Sequence, residues 1–315
     1  MENAHPEVSI VIPNFNHARY LEQRIESALS QSFKDIELII LDDHSTDNSL
    51  EIISRYKEHP KVSNIIVNES NSGSTFKQWR KGFELARGRY IWIAESDDYC
   101  ELSLLEELLI GFKQNNDAVI AFCGTIMFDD DDLILYKTKS DRLCEHIKGC
   151  EFISKRMRLG NGILNASAVL FKKDALSKVS DAFCNYKLSG DWVLWVELLR
   201  QGDVFVNGKM LNYCRKHGND VTGKAVRSGV FFKEFLEVLY YFEKIGVSNR
   251  NSTQEALFKV IRDKSIATAV DDNIKCEYFE QYGLVLGRQY WRFLAKQYCN
   301  IVAKCVSKMR HEVFR

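Results

Sequence analysis

Short apolar runs alternate with amphipathic stretches over the first hundred residues. Residues 8–12 (Val-Ser-Ile-Val-Ile) read as a strand, ended by Pro13, which cannot donate to a sheet ladder. After a turn at Asn14-Phe15-Asn16, residues Leu21, Ile25 and Ala28/Leu29 share one face of a helix over 18–31. A second apolar run, 36–41, stops at Asp42-Asp43, and Ser45-Thr46-Asp47 supplies a helix cap ahead of Leu50, Ile53 and Tyr56. A third strand, 62–67, runs into a polar loop over 68–73. Phe76, Trp79, Phe83 and Ala86 form the buried face of a helix over 75–87, which Gly88 is expected to stop as a C′ residue. Residues 90–94 then read as a strand buried on both faces.

Strand and helix thus alternate four times with short connections, which predicts a mostly parallel α/β sheet with helices on both faces. Ligands of open sheets of this type bind beyond the carboxyl ends of the strands. The loops Pro13-Asn14-Phe15, Asp42-Asp43, 68–73 and Glu95–Asp98 all fall at those ends and should share one rim. Neither a G-x-G-x-x-G turn nor a P-loop occurs in the chain.

Farther on, a helix is expected over 102–115, a strand over 118–124, a hairpin turn at the acidic run 129–132, and a strand over 166–171. Residues 189–201 read as a helix with Ser189 as its cap, Asp191 in its first turn, and Trp192, Trp195/Val196 and Leu199 facing inward. Residues 203–206 and 210–215 read as edge strands. From about Lys224 the strand-like runs vanish, and helices are predicted over 226–245, 253–270 and 286–309. The expected division is therefore 1–223 and a C-terminal helical region, 224–315. In the last helix Arg288, Arg292, Lys296, Lys304 and Lys308 interleave with aromatic and aliphatic residues. Such a face suits either peripheral contact with anionic headgroups or docking against the rest of the chain.

Composition narrows the class. Across 315 residues, 43 Lys and Arg balance 43 Asp and Glu, so overall charge makes no case for a nucleic-acid partner, and none is expected. The first eight residues are too polar for a signal peptide, and the apolar runs are of strand length, too short for a membrane span. The nine cysteines are scattered without a C-x-x-C pair, which fits reduced thiols in a cytoplasmic protein.

The candidate chemistry sits directly after residues 90–94. Glu95, Asp97 and Asp98 place three carboxylates within four residues, and nothing nearby in sequence neutralises them. Two readings are open: a solvated turn before the next helix, or a hard oxygen site for Mg²⁺ or Mn²⁺ shared with a substrate phosphate. The second acidic run, 129–132, is expected to be solvated surface.

Taken in order, these stretches resemble the family 2 glycosyltransferases of bacterial polysaccharide biosynthesis, with their GT-A (Rossmann-like) fold. Residues 8–16 resemble the family's opening strand, Asp42-Asp-His-Ser-Thr-Asp47 its D-D-G-S-x-D turn, and Asn71-x-Gly73 its N-x-G loop. Ala94–Asp98 resembles the metal motif, and Gly190-Asp-Trp192 the E-D-x motif, with Gly190 in place of the usual Glu and Glu95 where Asp is commoner. The resemblance covers about 8–220. It implies an inverting transfer of a sugar from a nucleotide-diphosphate donor, UDP-linked by preference, to a saccharide or lipid-linked acceptor. It implies that Pro13, Phe15, Asn16, Asp42, Asp43, Asn71, Gly73, Glu95, Ser96 and Asp97 face the donor. It further implies that Asp97, Asp98 and His217 hold Mn²⁺ or Mg²⁺, and that Asp191 is the base. Nucleotidyl transfer and a non-catalytic scaffold are the alternatives; the first lacks its glycine-rich basic loop here.

Overall fold

The computed structural model describes residues 5–140, 142–218, 230–253, 255 and 256. Strand β1 (Val8–Asn14) lies between β2 (Ile36–Asp42) and β4 (Tyr90–Ile93), with β3 (Val62–Val67) outside β2, and all four are parallel. The helices between them are α1 (Ala18–Leu29), α2 (Ser49–Ser54) and α3 (Thr75–Leu85). Because side chains alternate along a strand, β1 feeds two cores. Val8, Ile10 and Ile12 pack with Leu21 and Ile25 of α1 and Ile53 of α2, while Val11 packs with Phe76, Trp79 and Phe83 of α3 on the other face.

The sheet continues as a mixed one. After the two-residue β5 (Tyr99–Cys100) and helix α4 (Leu104–Gln114) come β6 (Ala118–Asp129), β7 (Ile134–Lys137) and β8 (Cys144–Ile147). A short helix α5 (Gly149–Phe152) leads to β9 (Val169–Lys172), helix α6 (Gly190–Leu199) and the long strand β10 (Asp203–Lys216). The order is β3-β2-β1-β4-β9-β6-β10-β5, with β7 on β6 and β8 on β10. β9 is antiparallel to both β4 and β6, and β6 runs parallel to β10. A last described helix, α7 (Val230–Lys244), packs Phe235, Val238, Leu239 and Phe242 into the core that also holds Trp192 and Trp195.

Several expectations need correction. Pro13 does not end β1, which runs to Asn14. The Val11 carbonyl accepts from Ala94 N–H, so position 13 points to the same side, where β4 has already ended, and a missing N–H costs nothing there. Gly88 is not a left-handed cap. It donates to Ser9 Oγ (2.7 Å), and a Cβ there would lie 2.5 Å from the Ser9 nitrogen, so its role is close backbone approach. Residues 203–206 and 210–215 are one strand rather than two, carried through by register shifts between Asn207 and Asn212. β10 is also no edge: β6 lies on one side, β8 and β5 on the other. The segment 166–168 is a 3₁₀ turn before β9. The helix expected over 286–309 and nearly all of that expected over 253–270 lie outside the described residues.

Candidate active site

A cleft of about 1040 Å³ opens at the carboxyl ends of β1, β2 and β4. Pro13, Phe15, Asn16, Asp43, Asn71, Gly73, Glu95, Ser96, Asp97, Asp98 and Asp191 all line it. Four loops distant in sequence therefore meet on one rim. Asp42 and His217 are not in that lining; Asp42 is fully buried.

The first two loops are cross-braced. Asp42 Oδ2 accepts from Asn14 Nδ2 (2.8 Å) and Ser45 Oγ (2.6 Å), and its Oδ1 from Ser45 N–H (2.8 Å). Its carboxylate is spent on the turn, which corrects the expectation that it faces the donor. Asn16 takes a positive φ of 56° and its Oδ1 accepts from Thr46 and Asp47 N–H, tying the β1 loop to the β2 loop. Asp43 gathers the third loop: Oδ1 accepts from Asn68 Nδ2, Ser72 N–H and Gln78 Nε2, and Oδ2 from Ser72 Oγ. Asn71 donates to the Asp43 carbonyl (3.0 Å), and its Oδ1 accepts from Gly73 N–H, where φ is +72°. Phe15 stands clear of this bracing with 44% of its surface exposed, a flat apolar face on the cleft.

The acidic stretch is divided in its work. Asp97 Oδ2 lies 3.1 Å from His217 Nε2, and donor atoms of His17, Asp97 and His217 all fall within 4.8 Å of one another. Ser96 Oγ, 2.8 Å from His17 Nδ1, fixes that imidazole. Two imidazoles and a carboxylate form a mixed N/O set suited to a divalent transition metal. Burial works against a charged Asp97, but the hydrogen bond from His217 and the nearby His17 outweigh it and hold the carboxyl below its ordinary range. Asp98 is not part of this set. It is 2% exposed, its Oδ2 accepts from Asn165 Nδ2 (2.9 Å) and Ser167 Oγ (2.7 Å), and its Oδ1 from Arg215 N–H (3.0 Å). The carboxylate expected as a ligand instead ties the end of β4 to β10 and to the turn before β9. Burial and the charge of Asp97 push it up to about 6.

Glu95 accepts from Trp79 Nε1 (2.8 Å), and burial, followed by the charges of Asp97 and Asp98, pushes it up to about 8. Behind these acids lies Arg24, fully buried on α1 over the Trp92 ring and donating to the Glu95 carbonyl (2.8 Å). Its charge lowers both Glu95 and Asp98. Sequence reasoning missed Arg24 and His17. Arg24 was signalled by its place in the buried stripe Leu21, Arg24, Ile25, Ala28. His17, one residue ahead of the α1 span, carried no such mark.

Asp191 sits one residue into α6. Its Oδ1 accepts from Trp192 N–H (2.7 Å) and its Oδ2 from Asn161 Nδ2 (2.8 Å), and burial pushes it up to about 7 despite both bonds. A carboxyl titrating there, on a cleft wall, is poised to exchange a proton near neutral pH. Trp192 and Trp195 belong to the core; Trp192 Nε1 donates to the Met157 carbonyl (2.8 Å).

The cleft thus brings together a braced polar rim, a His/Asp/His donor set and a separate carboxyl, on an α/β sheet. Residues 9–180 match Glycosyl transferase family 2, more than half of the chain, and the chain belongs to that family; it is a glycosyltransferase. It is 28% identical over 247 residues to the putative teichuronic acid biosynthesis glycosyltransferase TuaG of Bacillus subtilis, covering 77% of this chain and 93% of that one. Its fold resembles that of S. aureus TarS 1–349 in complex with UDP-GlcNAc, with a TM-score of 0.55 at 17% identity. That match covers 70% of this chain and 64% of the TarS chain. The mannosyltransferase PcManGT of Pyrobaculum calidifontis, solved with GDP-Man and Mn²⁺, aligns over 96% of this chain and 87% of its own, with a TM-score of 0.53 at 13% identity. These likenesses establish the GT-A fold.

Proposed function

We propose that the chain transfers a sugar, with inversion, from a nucleotide-diphosphate donor to a hydroxyl of a saccharide or lipid-linked acceptor in surface polysaccharide assembly. The observation that carries this is one cleft lined both by Asp97, which the His17/His217 set holds, and by Asp191. UDP is the favoured nucleotide, in keeping with the TarS complex, and the TuaG likeness favours a polysaccharide acceptor. Phe15 offers a stacking face for the base, and the braced loops at Asn16, Asp43, Asn71 and Gly73 shape the nucleoside pocket. His17, Asp97 and His217 would hold a divalent cation, Mn²⁺ ahead of Mg²⁺ for a set with two imidazoles, and that cation, when bound, absorbs charge gathering on the leaving diphosphate. Arg215 and Lys216, also on the cleft wall, add positive charge for the same phosphates. Asp191 takes the proton of the acceptor hydroxyl as its oxygen bonds to the anomeric carbon and the bond to the diphosphate breaks. Attack from the face opposite the leaving group inverts that centre.

Among the described residues no helix is long and apolar enough to cross a membrane. Our reading keeps the enzyme on the cytoplasmic side, with the 286–309 segment as its contact to the membrane surface. A thermal-shift panel of UDP-, GDP- and dTDP-sugars with Mn²⁺ or Mg²⁺ tests the donor reading, because a ligand that binds only the folded state raises the melting temperature. A UDP-sugar shift that needs the cation is expected. Equal shifts with and without cation, or none with any donor, would overturn it.

A further inference from the structure

The buried face of α7 carries an acid. Glu234 lies in the same stripe as Phe235, Val238, Leu239 and Phe242, and only 5% of it is exposed. Its Oε1 accepts from Lys187 N–H (2.6 Å), and its Oε2 from Leu188 and Ser189 N–H (2.8 and 2.9 Å). Three consecutive backbone donors converging on one carboxylate form an anion nest, and charge-assisted bonds of this length are the strong kind. The segment they fix runs directly into α6, whose second residue is Asp191. Lys187, Leu188 and Asp191 line the cleft, as does Val230 of α7 itself. The body of α6 is anchored independently, by Leu194, Trp195 and Leu198 in the core and by Glu197, which accepts from Ser180 and Tyr241. The bonds to Glu234 therefore set where residues 187–191 stand, more than whether α6 is held.

We propose that Glu234 is a positioning residue for the transfer reaction: its carboxylate fixes residues 187–189 and through them the aim of Asp191 into the cleft. Helix α7, beyond the expected boundary at 223/224, is then a working part of the catalytic unit. This rests on the reading of Asp191 as the base. The test compares the full-length wild type with Glu234→Gln, Tyr241→Phe and Asp191→Asn, using hydrolysis of the donor that the panel above selects and amide hydrogen exchange at 187–189. Glu234→Gln should lower kcat by about 10- to 100-fold, the scale of a small misplacement at a reacting group, and speed exchange at 187–189. Donor KM should stay within about twofold, which separates aim from donor binding. Tyr241→Phe removes the α7 bond to Glu197 of α6 while Ser180 still holds that carboxylate and the nest stays intact, and it should leave kcat within about twofold. Glu234→Asp, which keeps the charge on a shorter arm, should fall between, and serves if the glutamine variant does not fold. An unchanged kcat in both Glu234 variants, or equal losses in Glu234→Gln and Tyr241→Phe, would overturn the proposal. If Asp191→Asn is inactive while the Glu234 variants are fully active, positioning fails and the base assignment stands. If Asp191→Asn keeps its turnover, the base assignment fails and the proposal with it.

Discussion

The chain contains two acidic runs of similar composition, and the fold puts them to opposite uses. Residues 129–132 turn the β6–β7 hairpin, where Asp131 and Asp132 are exposed, Asp132 takes a positive φ, and the half-buried Asp130 accepts from the Tyr20 hydroxyl and pairs with the exposed Arg19. Glu95–Asp98 ends a strand buried on both faces, and its acids are dehydrated, bonded and shifted in different directions. The number of carboxylates is therefore a poor guide to a cation site. What decides is which partners the fold brings up, and of these acids only Asp97 has two imidazoles beside it.

That contrast can be broken at graded points. The largest effect belongs to Asp191→Asn, which removes the proposed base and should cost about 10²- to 10⁴-fold in turnover while UDP binding persists. In the unmodified enzyme a base pushed up to about 7 must lose its proton to act, so turnover should climb with pH below 7 and level off above it. A profile flat from pH 5 to 8 would contradict that assignment. Next comes Asp97→Asn, which should abolish the cation-dependent part of nucleotide binding in a Mn²⁺ titration. Asp98→Asn should behave differently despite being adjacent. It leaves buried donors short of an acceptor, at about 1–3 kcal/mol in urea unfolding, yet should keep cation binding. The smallest effect is expected at Asp131→Asn in the exposed run, within about 0.5 kcal/mol and with no change in cation binding. A loss of cation binding there would erase the distinction between the two runs.

The sequence made the rim legible because parallel strands buried on both faces leave unbroken apolar runs, and polar residues resume where each strand ends. Asp97, His217 and Asp191 become candidates on that basis and on family resemblance. The residues that surround them could not, since they come from elements distant in sequence: His17 beside Asp97, Asn161 on Asp191, Arg24 behind Glu95 and Asp98, and Glu234 beneath residues 187–189. Two of these share a mark that sequence inspection can use. Arg24 and Glu234 are charges set inside the apolar stripe of an amphipathic helix, where desolvation is tolerated only against a partner. Asp98 and Asp42 show the converse. Both look available in the sequence, and the fold uses them up in bonds to neighbouring loops. The two strands read at 203–206 and 210–215 are one in the fold, which carries Asn207-Gly208-Lys209 through as a register shift.

The most direct measurement of the central claim is an anomalous difference map from a crystal of the full chain soaked with Mn²⁺ and UDP. Our account places the manganese peak against Asp97, His17 and His217, with the nucleotide in the cleft beside Phe15. A peak at Asp130–Asp132, or an ordered UDP with no metal near Asp97, would contradict it.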